Sequence, residues 1–148
     1  MTEFRVEGPV RGQGRPRFAG RRAYKAAADA AWERKIARAY EDAGGVCLDG
    51  PVAVVVDVFR SLPPSLLRKR VASEPDTHRP DADNVAKGVL DALNGLAFRD
   101  DAQVTVLRVT KHDREARGEW MRVRVMGVGE HLAREVRRVG RDLDEFDR

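Results

Sequence analysis

Five aspartates fall within residues 79–101 of a chain that is otherwise basic; they are Asp81, Asp83, Asp91, Asp100 and Asp101. Like charges held close together repel, and carboxylates gathered in a dry place carry a large desolvation cost. A fold that collects several of them usually neutralises them with a divalent cation. The segment therefore predicts a polar surface that can hold a cation, and the rest of the chain must fold around it.

A helix is predicted directly after the first two aspartates. Pro80 favours extended backbone at Arg79, and in extended chain residues two apart point the same way, so we expect Asp81 and Asp83 to face one spot. Asp83 is then the expected N-cap. Helical spacing places Val85, Ala86, Val89, Leu90 and Leu93 on an apolar face and Asn84, Lys87 and Asp91 on a polar one. Asp91 either joins the site or orients Lys87, four residues before it.

Asp100 and Asp101 precede a predicted strand over Gln103–Thr110. Neighbours on a strand point to opposite faces, so only one of the pair can join the cluster if both lie in the strand. Taken singly, Asp-x-Asp-Asn is often a capped turn and Asp-Asp a solvated loop. Their combination with Lys87 in a basic chain favours a functional site.

Charge is distributed unevenly along the chain, whose formal net charge is +4. Residues 1–25 carry seven basic and two acidic side chains, a net +5, whereas residues 79–101 carry three basic and five acidic ones, a net −2. A basic surface holds phosphates, and an acidic pocket holds a metal ion. The combination is what a metal-dependent nuclease needs.

Two basic segments are candidates for contact with a nucleic acid. Residues 8–22 form a Gly/Arg/Pro-rich loop that is either a solvated surface or a phosphate contact, since arginines among glycines can approach a backbone closely. The long connection over residues 61–78 contains a basic run that is either a solvated helical turn or a contact to a DNA backbone. The candidate side chains are Arg15, Arg17, Arg21, Arg22, Arg68, Lys69 and Arg70.

At 148 residues the chain is expected to form a single domain, and both helices and strands are predicted along it. The expected strands are Glu3–Glu7, a central apolar Val52–Phe59, and an antiparallel pair formed by Gln103–Thr110 and Trp120–Met126. A helix over Tyr24–Ala43 has a packing stripe of Tyr24, Ala28, Trp32, Ile36 and Tyr40. Asp57, near the end of its strand, either reaches the site or lines the sheet edge or a turn.

The C-terminal segment is predicted to be an amphipathic helix over Glu130–Phe146. Its apolar stripe is Leu132, Val136, Val139, Leu143 and Phe146. We divide the chain into a domain over residues 1–127 and a helical tail over residues 128–148. The tail packs either on its own domain or against a partner subunit.

Composition also bounds the compartment. Cys47 is the only cysteine, so neither an intrachain disulfide nor a cysteine-based zinc cluster can form. The apolar run Val52–Val56 is too short to cross a membrane, and residues 1–25 lack the apolar core of a signal peptide. We therefore expect a cytoplasmic protein without a membrane partner.

The ordered set of motifs is more specific than any one of them. It comprises Gly8-Pro9, Arg15-Pro16-Arg17-Phe18, Pro63-Pro64-Ser65 before the basic run, Arg79-Pro80-Asp81-x-Asp83-Asn84-x-x-Lys87, Asp91–Gly95, Asp100-Asp101-x-Gln103-Val104 and Lys111. This pattern resembles the RusA-type Holliday junction resolvases of bacteria and phages. The resemblance covers roughly Phe4–Met126 and leaves the tail outside. Arg79 stands where the family usually has lysine, which keeps the charge.

The resemblance implies a single-domain α/β (α+β) fold, in which a mixed sheet packs against helices, and it implies a homodimer. The expected activity is cleavage of branched DNA in recombination and repair, by paired symmetric nicks at a Holliday junction. It implies Mg²⁺, or Mn²⁺, held by Asp81, Asp83 and Asp101, with Lys87 as the supporting catalytic residue. Asp91, Asp100 and Asn84 are second candidates at the site, and Arg79 and Lys111 join the DNA-contacting set.

Two other functions remain open from the sequence. One is a DNA-binding module without catalysis, in which the aspartates are caps and ion-pair partners. The other is a metal-dependent phosphodiesterase that acts on RNA or nucleotides.

Overall fold

The structure is a computed structural model that describes the backbone of residues 1–146, with all side chains of that range except those of residues 143, 144 and 146. In chain order its elements are β1 (Thr2–Glu7), β2 (Arg17–Ala19), β3 (Arg22–Tyr24), α1 (Ala27–Asp42), β4 (Val52–Phe59), α2 (Pro64–Arg68), β5 (Ser73–Glu74), α3 (Ala82–Leu93), a 3₁₀ turn (Asp101–Gln103), β6 (Val104–Lys111), β7 (Arg114–Glu115), β8 (Trp120–Gly127) and α4 (Val128–Phe146). The predicted α+β class is confirmed.

The main sheet is mixed, with strand order β1-β8-β4-β6. β4 pairs parallel with β6 and antiparallel with β8, so the predicted direct pairing of the two C-terminal strands is wrong. The first seven residues of β4 are buried, so this strand requires a neighbour on each side. The parallel β4–β6 pair requires a long crossover, which residues 60–103, including α3, supply.

The core lies between one face of the sheet and two helices. Val54, Val56 and Val123 of the sheet are buried with Ile36 of α1 and Val89 of α3. The predicted stripe of α1 is therefore correct at Trp32, Ile36 and Tyr40, all of which are buried.

The start of α1 differs from the prediction. The helix begins at Ala27, and both Tyr24 and Ala28 are exposed. Tyr24 instead pairs with Arg17 in a hairpin of β2 and β3, within what the sequence presents as a loop and the first turn of a helix. Gly20, with φ of 62°, supplies the left-handed backbone that the tight turn needs.

Asp57 lies on the sheet face that is turned away from the core residues of β4. Its carboxylate is buried and contacts His112 at 2.8 Å, Arg122 at 3.2 Å and Arg124 at 3.1 Å. Burial opposes ionisation, but the hydrogen bonds from His112 and Arg122 and the two arginine charges outweigh it and lower the pKa of Asp57. Asp57 of β4 is thus the buried carboxylate of an ion-pair cluster with Arg122 and Arg124 of β8. It belongs neither to the candidate site nor to a turn.

α4 begins at Val128, two residues before the predicted start, because it follows β8 without a loop. It packs against β4 and β8, and Glu135 contacts Arg108 of β6 at 3.3 Å. Leu132, Val136 and Val139 are exposed, Val136 by 73%. The predicted stripe members Leu143 and Phe146 have side chains outside the described residues. None of the described helices has the length and apolarity that crossing a membrane requires.

Candidate metal and DNA site

The loop over residues 11–14 is fastened to the start of α3. The backbone N–H of Gln13 donates to the Asn84 carbonyl oxygen at 3.0 Å. A Cβ at Gly12 would lie 2.7 Å from the Pro80 Cβ and 3.0 Å from the Asn84 Cβ, so a larger residue would push the two segments apart. Glycine at this position lets the arginine-rich loop lie directly against the segment that carries the aspartates.

Asp29 fastens the same loop to α1. Its Oδ1 accepts from the Arg11 Nη2 and its Oδ2 accepts from the Gly14 backbone N–H, each at 3.2 Å, and the residue is buried. The sequence interpretation missed Asp29. The available signal was a single acid among the alanines of residues 26–31, at what is the first turn of α1. A carboxylate there favours the helix, and once buried it requires polar partners.

These contacts form a cleft of about 710 Å³ at the N-terminus of α3. It brings together five of the predicted site residues, which are Arg15, Arg79, Asp81, Asn84 and Lys87. A smaller cavity of about 210 Å³ shares Lys87 and residues 13–16 with the cleft and adds the base of the β2–β3 hairpin. A phosphate in the cleft would meet the basic groups of Arg15, Arg79 and Lys87, and the Asp81 carboxylate lines the same cleft.

Asp81, rather than Asp83, is the N-cap of α3. Its backbone is extended (φ −69°, ψ 151°), and the helix begins at Ala82, so the predicted N-cap is wrong by two residues. An N-cap aspartate usually accepts a helix N–H, but the Asp81 carboxylate accepts none here. Asp83 lies in the first helical turn and is exposed. Both carboxylates are therefore available to a ligand. Because Asp83 lies in a helix and not in extended chain, the alternation of side chains along a strand does not determine where the two carboxylates point.

Asp100 and Asp101 lie before β6 in a turn of their own, so β6 begins at Val104 rather than at Gln103. The Asp100 carboxylate accepts from the Ala102 N–H at 2.8 Å, and in return the Gln103 Oε1 accepts from the Asp100 N–H at 3.3 Å and from the Arg99 N–H at 2.8 Å. This reciprocal capping fixes the turn that carries Asp101.

Asp101 shares its surroundings with other carboxylates. A hydrogen bond with Asp100 raises the pKa of Asp101, and the charges of Asp100 and Asp91 raise it further. The Ala102 N–H and Asp101 lower the pKa of Asp100. The structure therefore brings Asp91, Asp100 and Asp101 into one patch of negative potential.

Asp91 does not orient Lys87, which was one of its two predicted roles. It contacts the Lys25 Nζ at 3.3 Å, and Lys25 also contacts Glu33 at 2.6 Å. Burial opposes the charge of Lys25, but Glu33 and Asp91 together raise the pKa of Lys25. Lys87 is exposed and has no ion-pair partner within residues 1–146, so its ammonium group can reach a phosphate oxygen.

The predicted DNA-contacting arginines are at the surface. Arg15, Arg17, Arg21 and Arg22 are exposed on the first loop and the β2–β3 hairpin, and none forms an ion pair with another described residue. Arg68, Lys69 and Arg70 are exposed at the end of α2. No ion pair with another described residue compensates these basic groups, so they are available to an external polyanion.

Lys111 is different from the other basic candidates. Its ammonium donates to the His78 carbonyl oxygen and lies 3.8 Å from the Asp76 Oδ1, with 13% of its side chain exposed. Arg60 contacts the same buried carboxylate at 3.1 Å. Lys111 therefore fastens the segment that leads into the aspartate motif.

The donor set suits a hard divalent cation in its chemistry, because Mg²⁺ and Mn²⁺ prefer carboxylate oxygens. Asp81, Asp83 and Asp101 are exposed and have no cationic partner among the residues described. The hydrogen bond with Asp100 is the largest cause of the raised pKa of Asp101, and a cation would offset the charges of Asp100 and Asp91, which add to it. In residues 1–146, however, no three His, Cys, Asp or Glu side chains already stand close enough together to hold a metal ion.

Comparison with known proteins yields one family and one relative. The family described as Endodeoxyribonuclease RusA matches residues 7–126. The matched range includes every residue of the cleft and all five aspartates of residues 79–101, and it excludes α4. The chain is also similar to the Uncharacterized protein YqaN of Bacillus subtilis (strain 168), with 40% identity over 82 residues. That match covers 50% of this chain and 58% of the relative, which is less than two thirds of its length.

Proposed function

Because the chain belongs to the RusA family of endodeoxyribonucleases, we propose that it is a metal-dependent, structure-selective nuclease that resolves Holliday junctions by paired symmetric nicks in recombination and repair. One observation carries the proposal. Lys87, which has no ion-pair partner among the described residues, shares a cleft with Arg15, Arg79 and an N-cap aspartate whose carboxylate accepts no helix N–H. Basic groups suited to a phosphate thus share one cleft with a carboxylate suited to a cation.

In this proposal Asp81, Asp83 and Asp101 hold Mg²⁺ or Mn²⁺. When bound, the metal supplies Lewis acidity and a water of lowered pKa. The Lys87 ammonium binds a non-bridging oxygen of the scissile phosphate and stabilises the negative charge that grows on it. Asp100 positions Asp101 by capping its turn, and Asp91 keeps Lys25 beside the smaller cavity.

The arginines outside the cleft position the DNA. Arg17, Arg21 and Arg22 on the hairpin and Arg68–Arg70 after α2 contact the phosphate backbone in this proposal. Such contacts release counterions, so junction binding weakens steeply with salt. They set affinity and orientation, whereas the cleft sets where the strand is cut.

Paired symmetric nicks require two sites related by a two-fold axis, and a homodimer supplies them. We propose that α4 forms part of the dimer contact. Its exposed residues Leu132, Val136 and Val139 follow spacings of four and three, which continue in the sequence at Leu143 and Phe146. Residues 134–141 contain four arginines and one acid, and residues 142–147 contain four acids and no base, so two copies complement each other when α4 pairs antiparallel.

Substrate competition tests the proposed class of reaction. A four-way junction, a linear duplex of the same sequence and an RNA duplex are incubated with the protein and Mg²⁺, and the products are resolved on denaturing gels. We expect symmetric nicks in the junction and little cleavage of the other two. Comparable cleavage of RNA or linear DNA would contradict junction selectivity, and tight junction binding without cleavage in Mg²⁺ or Mn²⁺ would indicate a binding module.

A further inference from the structure

The β2–β3 hairpin forms a two-stranded sheet separate from the main sheet, and all six of its strand residues are exposed. Phe18 pairs with Ala23 in the middle of the hairpin. The Phe18 side chain is 70% exposed, and no described residue stacks on its ring. A single exposed apolar residue is ordinary on a protein surface, so exposure alone says little about Phe18.

The surroundings of Phe18 distinguish it from other exposed apolar residues. Residues 8–28 contain six basic side chains and no acid. The four arginines nearest to Phe18 in sequence have no ion-pair partner within the described chain. A protein partner that covered Phe18 would also have to compensate these charges. A nucleic acid offers both complements at once, since phosphates neutralise arginines and every base has a face that stacks on an aromatic ring.

The position of the hairpin relates it to the cleft. Ala23, Tyr24 and Lys25 line the 210 Å³ cavity together with Lys87. Ala23 is also the residue opposite Phe18 in the hairpin register. DNA that places a phosphate against Lys87 therefore passes the hairpin within a few nucleotides.

We propose that Phe18 stacks on a nucleobase that is unstacked at the branch point of the DNA, and that this contact lets the chain select branched over linear DNA. The inference rests on the proposed function and deepens it. In a linear duplex each base is stacked on both sides, and separating a step costs energy. At a branch the terminal pairs have already lost part of their stacking, so the same insertion costs less. The arginines hold any DNA, while Phe18 discriminates between its forms.

Binding measurements in Ca²⁺ test the proposal without requiring cleavage. Affinities for a four-way junction and a linear duplex are compared for wild type, Phe18→Ala, Phe18→Trp and Leu67→Ala. Leu67 is the matched control, because it is also exposed (42%) and also precedes a basic run. We expect Phe18→Ala to weaken junction binding by about tenfold and duplex binding by less than about twofold, whereas Phe18→Trp and Leu67→Ala bind like wild type.

A second arm replaces the bases at the branch point with abasic sites. If Phe18 stacks on a base, the junction affinities of wild type and Phe18→Ala become equal on this substrate. Equal losses for junction and duplex, an unchanged junction affinity, or a changed oligomeric state without DNA would each overturn the inference.

The two proposals fail in distinguishable ways. If the wild type binds junctions more tightly than duplexes through Phe18 but never cleaves them, only the proposed nuclease activity is contradicted. If the wild type cleaves junctions and Phe18→Ala keeps the full preference for junction over duplex, only the proposed stacking role of Phe18 is contradicted.

Discussion

The Asp29 Oδ2 accepts a hydrogen bond from the Gly14 backbone N–H at 3.2 Å, which connects α1 to the loop over residues 11–14 that lines the cleft. Asp29→Ala leaves this N–H and the Arg11 guanidinium without their acceptor. We predict a loss of about 1–3 kcal/mol in the free energy of unfolding, measured in urea, and weaker junction binding. Asp29→Asn keeps a side-chain oxygen and should be intermediate in both. Wild-type stability and binding in Asp29→Ala would show that the tether is dispensable.

Lys111 and Arg15 are predicted to act differently although both are basic. Lys111→Met removes the contacts to Asp76 and to the His78 carbonyl oxygen, but Asp76 keeps Arg60. We expect this variant to lose about 1–3 kcal/mol of stability. Arg15→Ala should leave the unfolding curve unchanged. It should reduce the slope of the logarithm of junction affinity against the logarithm of salt concentration by about one, which corresponds to one phosphate contact. The reverse pattern, in which Lys111→Met alters only the salt slope, would identify Lys111 as a DNA contact.

Asp57 makes stability depend on pH. The pKa of Asp57 is lowered in the folded state, so its stabilising contribution is present above the unfolded value of about 3.9 and is lost as the pH falls through the folded pKa. We predict that Asp57→Asn is less stable than wild type at pH 7 and that the gap narrows below about pH 4. Asp49→Asn, at an exposed pair with Arg99, is the control and should stay within about 0.5 kcal/mol of wild type. A gap for Asp57→Asn that is constant from pH 7 to 3 would contradict this assignment.

Val136→Glu tests the proposed role of α4 in the dimer. A glutamate in the middle of the exposed apolar stripe would place a charge in the contact, so we predict a shift from dimer to monomer in sedimentation velocity. The dissociation constant should rise at least about tenfold. Val46→Glu, at an exposed valine outside α4, is the control and should remain dimeric. A dimer of unchanged affinity in Val136→Glu would place the contact elsewhere in the molecule.

Local patterns predicted much of the fold. The apolar face of α3 is buried at Val85, Val89 and Leu93, and the uninterrupted apolar run of β4 correctly indicated a central strand. These features depend on periodicity within one element, which is a property of a few adjacent residues. The helix start at Ala82 was missed, because Asp81 and Asp83 are both acceptable N-caps by residue type.

Long-range pairings were beyond such patterns. The insertion of β4 between β6 and β8 depends on which strands meet across the sheet, and no single strand encodes that order. The same is true of Lys25 with Asp91, which are 66 residues apart, and of Lys111 with Asp76. At the site, Asp81 and Lys87 of the motif line one cleft whereas Asp83 does not, and the tether at Asp29 comes from a different helix.

A supercoiled plasmid with an extruded cruciform tests the central claim most directly, because the cruciform is a four-way junction and two coordinated nicks convert the circle to linear DNA. Wild type and Asp83→Asn are compared in Mg²⁺, with binding measured in Ca²⁺. We predict that wild type yields linear product and that Asp83→Asn binds the cruciform but leaves the plasmid supercoiled. Linear product from Asp83→Asn at the wild-type rate, or tight binding by wild type without any cleavage in Mg²⁺ or Mn²⁺, would contradict a carboxylate-held metal site that resolves junctions.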